Sequence, residues 1–187
     1  MKQFLFVISI ACALNVQGQP MFFIDSSVAG AMGFEGVEPG SAYLRAFNYR
    51  STNGISYTND SLSGKVTFVN FWFEGCMPCV AEFSALNDLY HRYRDRNDFR
   101  FLSFTHDSPE AIKRVQEKYK IDFPVIIVPY DSIHRLLFNL AFPTSLITNK
   151  KGRVTYIKSG GTTDEDYSKA EIDRLFVQRL DILLPKK

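Results

Sequence analysis

From residue 41 onward the hydrophobic positions fall into short segments of two different periods. Residues 66–73 are apolar or β-branched apart from Asn70, the pattern of a strand buried on both faces of a largely parallel sheet. Beyond residue 79, Phe83, Leu86, Leu89, Tyr90 and Tyr93 recur at helical spacing. Residues 99–105 predict a second core strand, and Ser108-Pro109-Glu110 opens a second helix. There the serine caps, the proline fits the first position and the glutamate meets the helix dipole. Ile112, Val115 and Tyr119 mark the apolar face of that helix. Residues 125–128 predict a third strand, and Ile133, Leu136, Leu137 and Leu140 a short helix. Residues 145–148 and 154–158 flank Asn149-Lys150-Lys151-Gly152, which predicts an antiparallel hairpin. Ser168-Lys169-Ala170-Glu171 has the form of a capping box ahead of Ile172, Leu175, Phe176, Leu180 and Leu183, so a last helix is expected to start at Ser168.

Ahead of this series, Tyr43, Phe47 and Tyr49, with Arg45 between, lead to the turn signal Asn53-Gly54 and then to Ile55 and Tyr57. That pattern predicts an amino-terminal hairpin. Residues 19–40 carry Gly30, Gly33, Gly36 and Gly40 with no sustained period, a flexible lead-in rather than part of a core. Residues 1–18 begin with Lys2, continue through an apolar run at 4–14 and end with the small residues Val16 and Gly18. This is the layout of a cleavable signal peptide with its cut after Gly18. The expected domain is therefore 41–187, an α/β unit reading hairpin, then β-α-β-α-β-α-β-β-α.

The chain of 187 residues is 45% hydrophobic and 22% charged with a formal net charge of +2, enough apolar material for one packed core. Lys and Arg form no basic stripe, which argues against a nucleic-acid partner. The run at 4–14 falls short of the roughly 18 apolar residues of a spanning helix. An uncleaved anchor, or a lipoprotein acylated at Cys12, remains as an alternative to export by cleavage, although Ser9 stands three before Cys12 where a larger aliphatic residue is wanted. The expected location is the periplasm or cell envelope. Cleavage would take Cys12 away and leave Cys76 and Cys79.

Those two cysteines carry the chemistry. Cys76-Met77-Pro78-Cys79 lies between a core strand and a helix, where unpaired amide hydrogens and the dipole favour a thiolate. Such a pair can exchange disulfides: Cys76 attacks, a mixed disulfide forms, and Cys79, placed one turn into the helix, resolves it. Pro78 stiffens the turn and suits an early helical position. Zinc needs a second ligand pair, and His91, His106 and His134 have no partner at ligand spacing, so no metal is expected. Haem attachment fails because residue 80 is Val80. A purely structural disulfide stays open, although its loop is very short.

Phe71-Trp72-Phe73-Glu74-Gly75-Cys76-Met77-Pro78-Cys79, with Gly64-Lys65-Val66 before the strand, Val69-Asn70 within it, Glu82 after the second cysteine and Phe142-Pro143-Thr144 before a later strand, resembles the thioredoxin fold. In particular it is similar to the exported TlpA/ResA-like thiol-disulfide oxidoreductases, over about residues 41–187. The resemblance implies a three-layer sandwich, a central mixed sheet with helices on both faces and the amino-terminal hairpin as an extension. It implies a redox-active Cys76–Cys79 disulfide and a cis Pro143 facing it, with Phe142, Pro143, Trp72, Met77 and Pro78 around the substrate; a proline that simply opens a strand is the plainer account of Pro143. Glu82 corresponds to the acid that such proteins keep near the resolving cysteine, where it can raise the thiol pKa or relay its proton. An exposed helix glutamate is the competing account. Asn70 stands where cytoplasmic thioredoxins carry a buried aspartate. Two residues depart from the family pattern: Gly75 replaces a large residue before the first cysteine, and Phe73 replaces a small one.

The function expected on these grounds is reduction of protein disulfides in the envelope, without a cofactor and with a membrane electron donor. Three alternatives remain: a disulfide-donating oxidant, a thiol peroxidase, and a non-catalytic binding or chaperone module. The peroxidase pattern wants Pro and Thr or Ser before the reactive cysteine, where this chain has Phe73-Glu74-Gly75.

Overall fold

The computed structural model describes residues 42–185; the expected signal peptide at 1–18, with Cys12, and the lead-in at 19–40 lie outside the described residues. The elements follow the expected order. A small hairpin of β1 (Asn48–Arg50) and β2 (Ser56–Thr58) forms its own two-stranded sheet, with Gly54 in the left-handed region at the turn. A 3-10 turn at Asn59–Leu62 leads to β3 (Val66–Phe71). Then come α1 (Met77–Tyr93), β4 (Phe99–Thr105), α2 (Pro109–Tyr119), β5 (Val125–Ile127) and α3 (Tyr130–Leu136). The chain finishes with β6 (Thr144–Thr148), β7 (Val154–Ser159), α4 (Glu165–Ile172), a π-helical turn at Asp173–Val177 and α5 (Gln178–Leu183).

The main sheet has the order β5-β4-β3-β6-β7. β3, β4 and β5 run parallel, while β6 is antiparallel to β3 and β7 to β6. All six residues of β3 are buried, as expected for a central strand covered on both faces. Alternate side chains of β3 enter two different cores. Val66 and Phe68 join Phe83, Leu86, Ile112 and Phe176 beneath α1, α2 and the carboxy-terminal helices. Val69 and Phe71 join Phe47, Phe104, Ile133 and Leu137 beneath the hairpin and α3. Each fully buried aromatic or aliphatic side chain of this kind stabilises the fold by about 1.5–3 kcal/mol. The result is a mixed sheet with helices on both faces.

The segment ahead of the main sheet also reaches both its edges. Ser51 bridges to Ile126 of β5, and the Thr52 N–H donates to the Val125 carbonyl at 2.8 Å. At the other edge Tyr43 bridges to Arg153, and the Val154 N–H donates to the Ala42 carbonyl at 2.8 Å.

The last helix starts earlier than its sequence suggests. Asp164 is the cap, its Oδ1 accepting the Tyr167 N–H at 2.8 Å, and Ser168 lies inside α4, buried. The serine faces the core because Ile172, Phe176, Leu180 and Leu184, all buried, continue its row at intervals of four. A spacing of four runs ahead of the 3.6 residues of an α-turn, and the π-helical turn at Asp173–Val177 absorbs the drift. At the carboxyl end of α3, Phe138 and Asn139 both take positive φ, so Leu137 and Leu140 pack from outside the helix.

Candidate active site

β3 delivers the chain to the site. Past Phe71 the Trp72 N–H still donates to the Phe104 carbonyl at 3.1 Å, prolonging the ladder with β4. The turn Phe73–Cys76 is then closed by the Cys76 N–H on the Phe73 carbonyl, also at 3.1 Å. Cys76 caps α1: its backbone is extended, and its Sγ accepts the Cys79 N–H at 3.2 Å. Pro78, in the first turn, has no amide hydrogen to leave unpaired. Cys76 and Cys79 are joined by a disulfide with Cα atoms 5.2 Å apart. Their relative exposures are 5% and 1%, so Cys76 is the sulfur that a partner reaches first.

The second wall comes from β6. Because Phe71 pairs with Thr144, the chain leaving β3 for the cysteines and the chain entering β6 through Pro143 lie at the same end of the sheet. The Phe142–Pro143 peptide is cis, and Pro143 is buried. Its carbonyl accepts the Gly160 N–H at 2.8 Å, and the Ala141 carbonyl accepts from the hydroxyls of Thr144 and Ser159. Phe142 bridges the two walls, its ring meeting Phe73 edge-on at 5.2 Å and His134 at 5.8 Å. Met77 and Tyr130 stand out from this surface, at 60% and 61% exposure.

Glu82 sits one turn beyond Cys79 on the same face of α1, with only 2% exposure. It is not an exposed helix residue. Its Oε1 and the ring of Pro143 both border Gly161, where a Cβ would meet Pro143 Cγ at 3.0 Å and Glu82 Oε1 at 3.4 Å. Glu82 Oε1 accepts from Lys158 Nζ at 3.1 Å, while Oε2 is buried without a hydrogen-bond partner. Burial pushes the Glu82 carboxyl above its usual range, and the Lys158 ammonium pulls it back only in part. Lys158 is 2.6 Å from Glu171 as well. Burial works against its charge, yet the two carboxylates outweigh burial and hold the ammonium above its ordinary value.

Of the residues expected from sequence, Cys76, Cys79, Met77, Pro78, Glu82, Phe142 and Pro143 are brought to this end of the sheet. Trp72 is not part of its surface. It is wholly buried, edge-on to Phe83 at 5.2 Å, and its indole N–H donates to Ser103 Oγ at 2.7 Å. Phe73, next along, is the aromatic that reaches the surface. Asn70 is also buried and donates to Ser145 Oγ at 3.0 Å.

Sequence reasoning missed four further contributors. Asp107 accepts the Glu74 N–H at 2.7 Å, and Arg114 holds the Glu74 carboxylate through two bonds of 3.0 Å. Together they tie the loop ahead of Cys76 to the approach to α2 and to its middle turn. Lys158 and Glu171 arrive from β7 and α4, and no local pattern links them to residue 82. Among the described residues no cluster of metal-ligating side chains occurs.

Residues 43–157 match the AhpC/TSA family. The thiol-disulfide oxidoreductase ResA of Halalkalibacterium halodurans is 27% identical over 157 residues, which are 83% of this chain and 84% of that protein. ResA of Bacillus thuringiensis is 30% identical over 102 residues, 54% of this chain and 59% of the relative's length. Among solved structures, a thiol:disulfide interchange protein of the thioredoxin family from Chlorobium tepidum superposes with a TM-score of 0.60 at 23% identity, covering 77% of this chain and 98% of that one.

Proposed function

The chain belongs to the AhpC/TSA family, and from that premise we propose that it is a thiol-disulfide oxidoreductase of the cell envelope that reduces protein disulfides through Cys76 and Cys79. The observation that carries this reading is the Cys76–Cys79 disulfide at the start of α1, with Cys76 the outer sulfur and the cis Phe142–Pro143 peptide at the same end of the sheet.

In the reduced protein the amide hydrogens and dipole at the start of α1 favour the Cys76 thiolate. It attacks one sulfur of a substrate disulfide, a Cys76–substrate bond forms, and the other substrate sulfur leaves as a thiolate. Cys79 gives its proton to the Glu82 carboxylate and attacks Cys76 Sγ. The substrate's second sulfur departs, and two electrons have passed from the dithiol to the substrate. The half-buried Phe142 and the exposed Met77 offer apolar contact to the partner beside the reacting sulfurs. A membrane electron carrier would return the protein to its dithiol form, and the signal-peptide pattern at 1–18 supports an envelope location.

A Cys79→Ser variant tests the reading, since it stops the reaction after the first attack. Covalent protein adducts at Cys76, released by added thiol, are expected from envelope extracts. Their absence would count against exchange. Equilibration of Cys76–Cys79 with glutathione fixes the direction: a potential near the −120 mV of strong oxidants would make the protein a disulfide donor instead.

A further inference from the structure

Glu82, Lys158 and Glu171 form a cluster of two carboxylates around one ammonium. Lys158 Nζ lies 3.1 Å from Glu82 and 2.6 Å from Glu171, and the three side chains are 2%, 14% and 17% exposed. Each comes from a different element, α1, β7 and α4. With both carboxylates ionised the cluster carries one net negative charge in a poorly solvated place, which favours binding a single proton. Glu82 Oε2, buried without a partner, is where that proton fits.

We propose that Lys158, shared between Glu82 and Glu171, is a positioning residue that sets how readily Glu82 takes the proton Cys79 must lose, and that Glu171 is the outlet for that proton. The proposal rests on the exchange reading above. Cys79 passes a proton to Glu82. Lys158 then gives one to Glu171 while accepting that from Glu82, and Glu171 loses it to water. The cluster ends with its starting charge, and no oxidant or reductant beyond the substrate disulfide is needed.

The sharing has a definite sign. Removing the ammonium leaves Glu82 facing only burial and a like charge, so it keeps its proton to higher pH. Removing the Glu171 charge gives Glu82 the undivided ammonium, so it loses its proton at lower pH. Other charges near the cluster are committed elsewhere. On β7 Tyr156 packs under Arg179, whose guanidinium carbon lies 3.9 Å from the ring centroid. Arg174 sits near the same tyrosine. On α1 and α4 Asp88 pairs with Lys169, which also senses Asp173. None of these is among the charges that act on Glu82.

The experiment follows both thiolates released when the reduced protein reacts with a chromogenic aromatic disulfide, over a range of pH. The first release reports attack by Cys76 and the second reports resolution by Cys79. For Lys158→Met the acid limb of the second phase is expected to move up by about 1 pH unit. For Glu171→Gln it is expected to move down by about half a unit, and Lys158→Arg is expected to restore the wild-type profile. A role in stability alone would lower the melting temperature without opposite shifts. If Lys158→Met does not fold, the downward shift of Glu171→Gln against Lys158→Arg decides. Shifts in one direction, or none, in folded variants overturn the proposal while leaving exchange intact. Release of only one thiolate per wild-type dithiol would overturn the exchange reading itself.

Discussion

The ring of Phe73 occupies the space into which a side chain on Gly75 would grow: a Cβ there would lie 3.3 Å from Phe73 Cε2 and 3.7 Å from Cδ2. In sequence these are two separate departures from the family pattern, a large residue where a small one is expected and the reverse two positions on. In space they are one exchange. The aromatic bulk beside the first cysteine is supplied from position 73, and its contact with Phe142 ties it to the loop of Pro143.

A double-mutant cycle measures that exchange. Gly75→Trp alone should crowd the Phe73 ring, and Phe73→Ala alone should strip the edge of Phe142, each lowering stability and slowing exchange. The two together should cost less than their sum, with a coupling energy of about 1 kcal/mol in urea denaturation. Additive losses would mean that the two positions are independent.

Trp72→Phe should separate structure from substrate contact. It removes the indole N–H and leaves the buried Ser103 hydroxyl without its donor, a loss of about 1–3 kcal/mol. Because Trp72 has no exposed surface, KM for a protein disulfide should stay the same in the folded variant. A raised KM at unchanged secondary structure would place Trp72 in contact with the partner.

Burial raises the Glu82 carboxyl above its ordinary value of 4.5, so the folded protein holds this proton to higher pH than the unfolded chain does. The sign follows from linkage. Below 4.5 both states are protonated and the group is neutral toward folding, and stability falls as pH rises from there through the folded value, by at most about 1.4 kcal/mol per pH unit for one proton. Glu82→Gln should remove this slope. Urea midpoints of wild type and variant should therefore diverge in the variant's favour between weakly acidic and neutral pH, and parallel curves would refute the raised value.

The strands and most helices are legible in the sequence because they rest on local signals. The apolar run of β3, broken only by Thr67 and Asn70, needs cover on both faces, and Ser108-Pro109 specifies the start of α2 through its own capping geometry. The cysteines were equally plain. What escaped is what depends on rows or on distance. Ser168 and Glu171 mimic a capping box, yet Ser168 shares a buried row with Ile172, and Asp164, which carried the real signal, precedes it. Trp72 continues an apolar strand, and nothing local says that its N–H turns inward to Ser103. Lys158 lies 76 residues from Glu82 on a strand whose half-buried positions look ordinary, so only the tertiary fold reveals the pair.

The short bridges that the amino-terminal segment makes to β5 and to the start of β7 restrict how other molecules can meet this one. Open strand edges are templates on which a second chain adds itself by backbone pairing. A thiol-disulfide oxidoreductase, which meets other chains through its cysteines, is exposed to that hazard. Here Ser51 and Thr52 engage the backbone of one edge, and Ala42 and Tyr43 that of the other. The flanks are thereby covered where these residues lie, and the end of the sheet that carries Cys76 is left outside that cover.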